Sequence, residues 1–344
     1  MYTEIIDPVQ YPAWDDLLLS HDGYSFFHSS YWARVLRESY GYTPLYFTTF
    51  RHGSVLTLIP LMEVKSPFTG SRGVSLPFTD YCDPIVPEGQ DLRSVTDCLA
   101  AYGRKRGWKY IELRSRNNSN EQDISSSYYY GHVLTLSPDE EKMRSGLRDS
   151  TRRNIGKAEK SGVEVIIDRS AQALAEFTRL NCVTRRSHGI PPQPGRFFKS
   201  LYDHIIAKGH GCIARAVFQK KTIAGALYLH IGKKAVYKYG ASDKAYQSLR
   251  ANNLVMWKAI TWYARNGFKS LCFGRSEPEN SGLLQFKSGW GADEHCIRYY
   301  RYDLQKGEFM KRATHVKGLH NNIFNKMPVP LLRMAGSLLY KHIG

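Results

Sequence analysis

Lys287 stands in the run Phe286-Lys287-Ser288-Gly289, where a compact ammonium flanked by a ring and followed by a glycine can meet a developing oxyanion or a terminal ribose. The bland reading is an exposed lysine at a turn before Trp290. Asp80, in a segment bounded by Pro77 and Pro84, is placed to accept a proton from an attacking amine, or simply to close an Asx-turn. Arg34, Arg37 and Arg196 offer planar forks of the kind that hold the phosphates of a nucleotide-linked substrate. Tyr237 and Tyr239 alternate along an apolar run, so strand geometry puts both on one face, lining a site or packing in a core. Together these residue types offer a cation for developing charge, a proton acceptor and forks for phosphate.

Covalent catalysis lacks a signature. There is no Gly-x-Ser-x-Gly elbow, and the six cysteines, at 82, 98, 182, 212, 272 and 296, form no C-x-x-C metal clip and no dense disulfide framework. No metal is expected, and a reducing cytosol fits best. Lys and Arg number 48 against 31 Asp and Glu, for a net charge of +17, which favours an acidic partner such as nucleic acid, a diphosphate or anionic lipid. Arg144, Arg148, Arg152, Arg153, Lys157 and Lys160 concentrate that charge in one helical stretch, either a solvated face or a phosphate-backbone contact. The first residues lack a cationic segment followed by an apolar one, so nothing reads as a secretory signal.

The elements that must position these residues come in two similar sets. Ala101 to Leu113 and Thr261 to Phe273 each read as a helix closing on a glycine, Gly107 or Gly267, and then a strand. Upstream of each lies a hairpin pattern: Leu45 to Phe50 and Val55 to Val64 around His52-Gly53, then Gly211 to Phe218 and Ile223 to Ile231 around Lys220-Lys221, with a further strand from Ala235 to Ala241. Antiparallel strands, a helix and a further strand imply an α+β unit with helices covering a mixed sheet. Two such units are expected, at 1–137 and 138–305, with a helical tail over 306–344. The stretch from Ser115 to Tyr130, rich in Asn and Ser, reads as a loop, and Ser137 as the cap of the helix carrying the basic residues.

Three motifs now group together. Phe26 to Leu36 (beginning Phe26-Phe27-His28-Ser29-Ser30-Tyr31-Trp32), Arg152 to Val163 (Arg152-Arg153-Asn154-Ile155-Gly156-Lys157) and Gly282 to Gly291 (Gly282-Leu283-Leu284-Gln285-Phe286-Lys287-Ser288-Gly289-Trp290-Gly291) resemble the FemAB/FemX family in kind and order. The resemblance spans most of residues 20–300. It implies two tandem GNAT-like domains and transfer of an aminoacyl group from aminoacyl-tRNA to an amine of a peptidoglycan precursor, with no cofactor beyond the donor. It also implies the catalytic use of Lys287, with Phe286 beside it, and puts Arg34, Arg37 and Arg196 in acceptor-binding segments. The run from Lys326 to Gly344 is similar to the tail of a branch linked to exopolysaccharide and exosortase systems, which would make the acceptor a surface glycan or a lipid-linked sugar.

Two other readings compete. In an acyl-CoA-dependent GNAT enzyme acting on an exopolysaccharide or amino-sugar precursor, backbone N–H groups at a helix start hold a pyrophosphate in a Gln/Arg-x-x-Gly-x-Gly/Ala loop. Here the loop reads Gln247-Ser248-Leu249-Arg250-Ala251-Asn252, with side chains where glycines should stand, although Arg250 can itself contact a phosphate. The remaining reading is a basic RNA-binding or membrane-surface protein without enzymatic activity. Leu331, Met334, Ala335, Leu338 and Leu339 share one helical face with Arg333 and Lys341 elsewhere, so the tail either packs back on the first domain or lies on a membrane surface. A cytoplasmic location, peripheral to the inner membrane, accommodates both options.

Overall fold

Hairpin turns fix the register of each half. The structure, a computed structural model, describes residues 3–87, 92–116, 124–311 and 324–344. His52 and Gly53 both take left-handed φ values, 51° and 77°, which matches the twist of the strands they join. In the second half the left-handed pair is Gln219 and Lys220, one residue earlier than the Lys220-Lys221 turn expected.

The chain forms two units. The first comprises Met1–Tyr130, His295–Val316 and Leu338–Gly344; the second comprises Gly131–Glu294 and Lys317–Ser337. Both are therefore discontinuous in sequence, where the sequence reading drew contiguous segments. In the first unit the order is β1 (Glu4–Ile6), α1 (Trp14–Leu19), α2 (Ser30–Tyr40), β2 (Thr43–Arg51), β3 (Ser54–Val64), β4 (Ser71–Val74), α3 (Leu92–Lys105) and β5 (Trp108–Ser115). β1 to β4 pair antiparallel in sequence, and β4 pairs parallel with β5 across the α3 crossover. Leu99 of α3 packs on Phe47, Leu61, Trp108 and Leu113, so α3 covers one face of this sheet.

The chain then runs through β6 (Ser127–Thr135), α4 (Glu140–Ser145) and α5 (Asp149–Lys160). Strand pairing begins before the end of the stretch read as a loop. Beyond it come β7 (Glu164–Asp168), α6 (Ala171–Ser187), α7 (Gly195–Leu201), β8 (Gly211–Phe218), β9 (Lys221–Ile231), β10 (Lys234–Ser242), α8 (Ala251–Arg265) and β11 (Ser270–Ser276). β7 to β10 pair antiparallel and β10 pairs parallel with β11, so the second unit repeats the first element by element. Gly107 and Gly267 close their helices at φ 68° and 75°, as the duplicated motif requires. α9 (Ser281–Ser288), β12 (Asp293–Asp303), β13 (Glu308–Phe309) and α10 (Val329–Ile343) complete the described chain; from His295 onward β12 lies in the first unit, antiparallel to β5.

In the second unit Leu254, Trp257, Ile260 and Tyr263 of α8 and Ile155 and Ala158 of α5 pack on β8–β11. Each large apolar side chain sequestered there contributes about 1.5–3 kcal/mol. On the opposite face Phe177 of α6 packs on Phe198 of α7, which in turn meets Tyr239.

Candidate active site

The basic stretch after Ser137 is two helices rather than one. Asp139, not Ser137, caps α4 by accepting from Lys142 N at 3.0 Å, and the chain turns at Gly146-Leu147-Arg148 before α5 begins. Leu147 anchors that elbow in the core while Arg148 takes an extended ψ of 143°. Arg144 is thereby separated from the face that carries Arg153 and Lys157, which are exposed four residues apart on α5. Arg152 is occupied by an ion pair with Asp149.

The elbow and the Lys287 motif are joined. Arg148 N donates to Gly289 O at 3.0 Å, and Arg148 Nη2 donates to Ser288 Oγ at 3.1 Å. Gly289 is glycine for want of space, because an added Cβ would lie 2.5 Å from Thr151 Oγ1, in the first turn of α5. The start of α5, just ahead of the second motif, thus meets the third motif.

Their junction walls a cavity of about 390 Å³ in the second unit. Ser150 and Thr151 reach it from the start of α5, Ala251 and Asn252 from the start of α8, and Gly282 from the start of α9. Helix starts present N–H groups and positive dipole ends, so their convergence favours an anion. Arg148 and Arg250 add guanidinium groups, and Gln285 and Phe286 supply part of the α9 wall. The carboxylate in the lining, Asp243, is occupied: it accepts from Ala245 N at 3.1 Å and lies 3.3 Å from Lys221 Nζ. Arg250 sits at the head of α8 with φ 58°, a left-handed turn where a non-glycine residue carries strain. Sequence reasoning identified Arg148, Arg250 and Phe286 here but missed Thr151, Asn154, Tyr246 and Gln285, whose types carry no mark of ligand binding.

Lys287 is the buried residue of α9, only 2% exposed. Its ammonium donates to Gly274 O and Arg275 O, both at 2.9 Å, at the far end of β11. This is a fixed, desolvated cation rather than a free surface lysine, and it does not line the cavity that Phe286 faces. His132 on β6 is fully buried, with Nε2 3.1 Å from Glu294 Oε2. Burial and then the Lys287 charge lower its pKa, so the imidazole is neutral at neutral pH.

Tyr237 and Tyr239 do not share a face, contrary to the expectation from simple alternation. The ladder shifts between them, pairing Tyr237 with Tyr228 and Tyr239 with Leu227, and this bulge at Lys238 turns the two rings to opposite sides of the sheet. Tyr237 joins Tyr228 in the α8 core, where burial pushes its hydroxyl up to about 12, while Tyr239 packs on Phe197 and Phe198. The parallel ladder of β10 and β11 ends just before the bulge, at Val236 and Cys272.

Arg34, Arg37 and Asp80 lie in the first unit. Arg37 is committed to Asp7 through Nη1 at 2.7 Å, Arg34 is half-buried on α2, and the Asp80 main-chain carbonyl accepts from Tyr299 Oη at 2.9 Å. Arg196 is exposed on α7 in the second unit. Among the described residues no cluster of three or more His, Cys, Asp or Glu is arranged to hold a metal ion. Burial raises the thiols of Cys82, Cys182 and Cys212, the last to about 11, which works against a thiolate nucleophile at these positions.

Comparison with known proteins follows this geometry. The family described as Acetyltransferase (GNAT) domain matches residues 145–288, from the α4–α5 elbow to the end of α9. A Lipid II:glycine glycyltransferase of Staphylococcus saprophyticus is 30% identical over 101 residues, 26% of this chain and 24% of that protein, so the chain spans about a quarter of the length of that curated relative. The crystal structure of FemX has the same fold at a TM-score of 0.66 and 14% identity, covering 87% of this chain and 97% of that one. A tandem GNAT protein from the clavulanic acid biosynthesis pathway matches at a TM-score of 0.55 and 10% identity, covering 88% and 99%. The repeated β1–β5 and β7–β11 topology and these likenesses agree: the chain is built as tandem GNAT folds, with an acetyltransferase (GNAT) domain at residues 145–288, and it shares the fold of FemX.

Proposed function

We propose that the protein is an aminoacyltransferase that moves an aminoacyl group from aminoacyl-tRNA to an amine of a peptidoglycan or related cell-envelope precursor. The observation that carries this reading is the cavity where three helix starts converge between Arg148 and Arg250, with Arg153 and Lys157 exposed further along α5. Its chemistry suits phosphates, and the run of cations suits a nucleic-acid backbone better than a lone small molecule.

The reaction needs few parts. A neutral amine attacks the ester carbonyl, the C–N bond forms, the C–O bond to the terminal ribose breaks, the amine loses a proton and the ribose oxygen gains one. Lys287 is the proposed cation for the oxyanion or the ribose, held by two carbonyls so that little reorganisation accompanies charge development. Asp80 is the proposed acceptor of the amine proton. Arg34 and Arg196 are the proposed acceptor-phosphate contacts, Arg37 being already paired. The likeness to a Lipid II:glycine glycyltransferase supports a lipid-linked acceptor.

One observation favours an acyl-CoA donor: the left-handed turn at Arg250 keeps α8 poised to receive a pyrophosphate even without the usual glycines. The deciding experiment incubates purified protein with charged tRNA or acyl-CoA and measures deacylation dependent on a cell-envelope extract. Loss of the aminoacyl group from tRNA is the expected result. Turnover of the thioester alone would replace this reading with the CoA-dependent one.

A further inference from the structure

The tail helix α10 is docked by one face and bare on the other. Leu332 is fully buried and Tyr340 nearly so. Gly336 lies so close to the Pro192 carbonyl that no side chain fits, and Tyr42 Oη donates to Tyr340 O at 3.0 Å. Through these contacts the helix packs on the protein. Leu331, Met334 and Leu338 nevertheless remain 49, 58 and 59% exposed, at the three- and four-residue steps that place them in one stripe.

The surroundings of that stripe indicate what covers it. No Asp or Glu occurs from Phe324 to Gly344, whereas Lys326, Arg333 and Lys341 do and are exposed. Phe68, 80% exposed, packs edge-on against His342 at the end of the same helix, with a ring-centroid distance of 4.9 Å. Apolar side chains with an aromatic at one end, flanked by cations and free of acids, form the pattern of a helix lying in an anionic bilayer interface. No described helix is long and apolar enough to cross a membrane, so this contact is with the surface. A protein partner would have to be acidic around an apolar groove, and a second copy, itself at +17, would be repelled.

We propose that the exposed face of α10, together with Phe68, seats the protein on anionic phospholipid. The inference deepens the reading of a lipid-linked acceptor, yet its evidence is the helix face alone. Its test therefore uses no substrate. The full chain is sedimented with vesicles of phosphatidylglycerol and phosphatidylethanolamine, and with phosphatidylcholine vesicles, at low and at physiological salt. Binding should be strong to the anionic vesicles, weaker in salt and weakest on phosphatidylcholine.

The triple variant Leu331→Ser, Met334→Ser, Leu338→Ser should lose about tenfold or more of that binding. Its melting temperature and its activity on a water-soluble acceptor should stay at wild-type values, because none of the three side chains is buried. A second variant, Arg333→Glu with Lys341→Glu, should lose binding through charge alone. Unchanged vesicle binding in the triple variant overturns the proposal. So does a wild-type protein that ignores anionic vesicles, or one whose α10 face mediates lipid-independent self-association on a sizing column. Failure here with intact transfer from tRNA would leave the aminoacyltransferase reading standing.

Discussion

The Lys287 ammonium lies 2.9 Å from the Gly274 carbonyl oxygen and at the same distance from that of Arg275, so one side chain of α9 holds the end of β11. Lys287→Met would strip both carbonyls of a charged donor, and a buried acceptor left unsatisfied costs about 1–3 kcal/mol. Two effects should separate. The melting temperature should fall by several degrees, and turnover per folded molecule should fall about 10²–10³-fold if the ammonium also meets the developing charge. Thermal melts and transfer assays on the same preparation check this. A lower melting temperature with undiminished turnover would reduce Lys287 to a structural clamp.

Gly289 and Thr151 test whether the α9 motif must touch the first turn of α5. A methyl group at 289 would meet Thr151 Oγ1, an atom fixed close to the α5 backbone, so it cannot swing away cheaply. Gly289→Ala should cost about 1–3 kcal/mol and push α5 away from the cavity. Gly289→Ala combined with Thr151→Ala should recover much of the loss, since the clash then has no partner. A double-mutant cycle by chemical denaturation measures the coupling; strictly additive effects would refute the contact.

Arg250 combines strain and charge, and two substitutions divide them. Arg250→Ala keeps the left-handed turn at a residue that resists it, whereas Arg250→Gly removes the roughly 1 kcal/mol of strain. Both remove the guanidinium from the cavity. Donor affinity should therefore drop about tenfold in each, the loss of one charge-assisted hydrogen bond, while the glycine variant alone is as stable as wild type or slightly more so. Equilibrium binding of the donor and thermal melts provide the two readouts. Wild-type donor affinity in both variants would remove Arg250 from the site.

The duplication was legible because its signals are local. Gly107 and Gly267 end helices with conformations that their residue type encodes, and alternation along Leu45–Val64 and Gly211–Ile231 marks strands. Short edge strands such as β1 and β7 carry too few residues to show a period, and β4 hides behind Ser and Gly. The bulge at Lys238 adds a residue to one strand without altering residue types, so the pairing of Tyr237 and Tyr239 on one face was a sound inference from alternation and wrong in three dimensions. The partner of Arg37, thirty residues away at Asp7, is likewise a tertiary fact. Of the site, the cations were readable and the neutral wall was not. Lys287 was readable as special only through its motif, because its burial arises from where α9 lies on β11.

Acid should unfold the protein along two distinguishable limbs, an upper one from buried histidine and a lower one from paired carboxylates. Burial holds His230 down at about 4, although the Gly209 carbonyl, which accepts from Nε2 at 2.7 Å, opposes the shift. Because that bond makes Nε2 the protonated nitrogen, Nδ1 is left to accept from Tyr263 Oη at 2.9 Å. Below its ordinary value near 6.5, the unfolded histidine takes up a proton that the folded one refuses, so stability falls as pH drops from about 6.5 to about 4. Glu63 works in a lower window. Burial alone would raise its pKa, but bonds from Arg106 at 2.9 and 2.7 Å, Trp108 at 2.8 Å and nearby Lys65 outweigh it and hold the carboxyl at about 2. The stability it contributes is complete above its ordinary value near 4.5 and is lost as pH falls from there towards 2. Other carboxylates, Asp168 and Glu176 among them, share that lower limb, so the quantity to read is the change in slope. His230→Gln should flatten the melting-temperature profile between pH 6.5 and 4 and leave the acid limb intact, whereas Glu63→Gln should lower the neutral plateau and flatten the profile below 4.5. A His230→Gln profile parallel to wild type through the upper window would mean that this imidazole does not set the first limb.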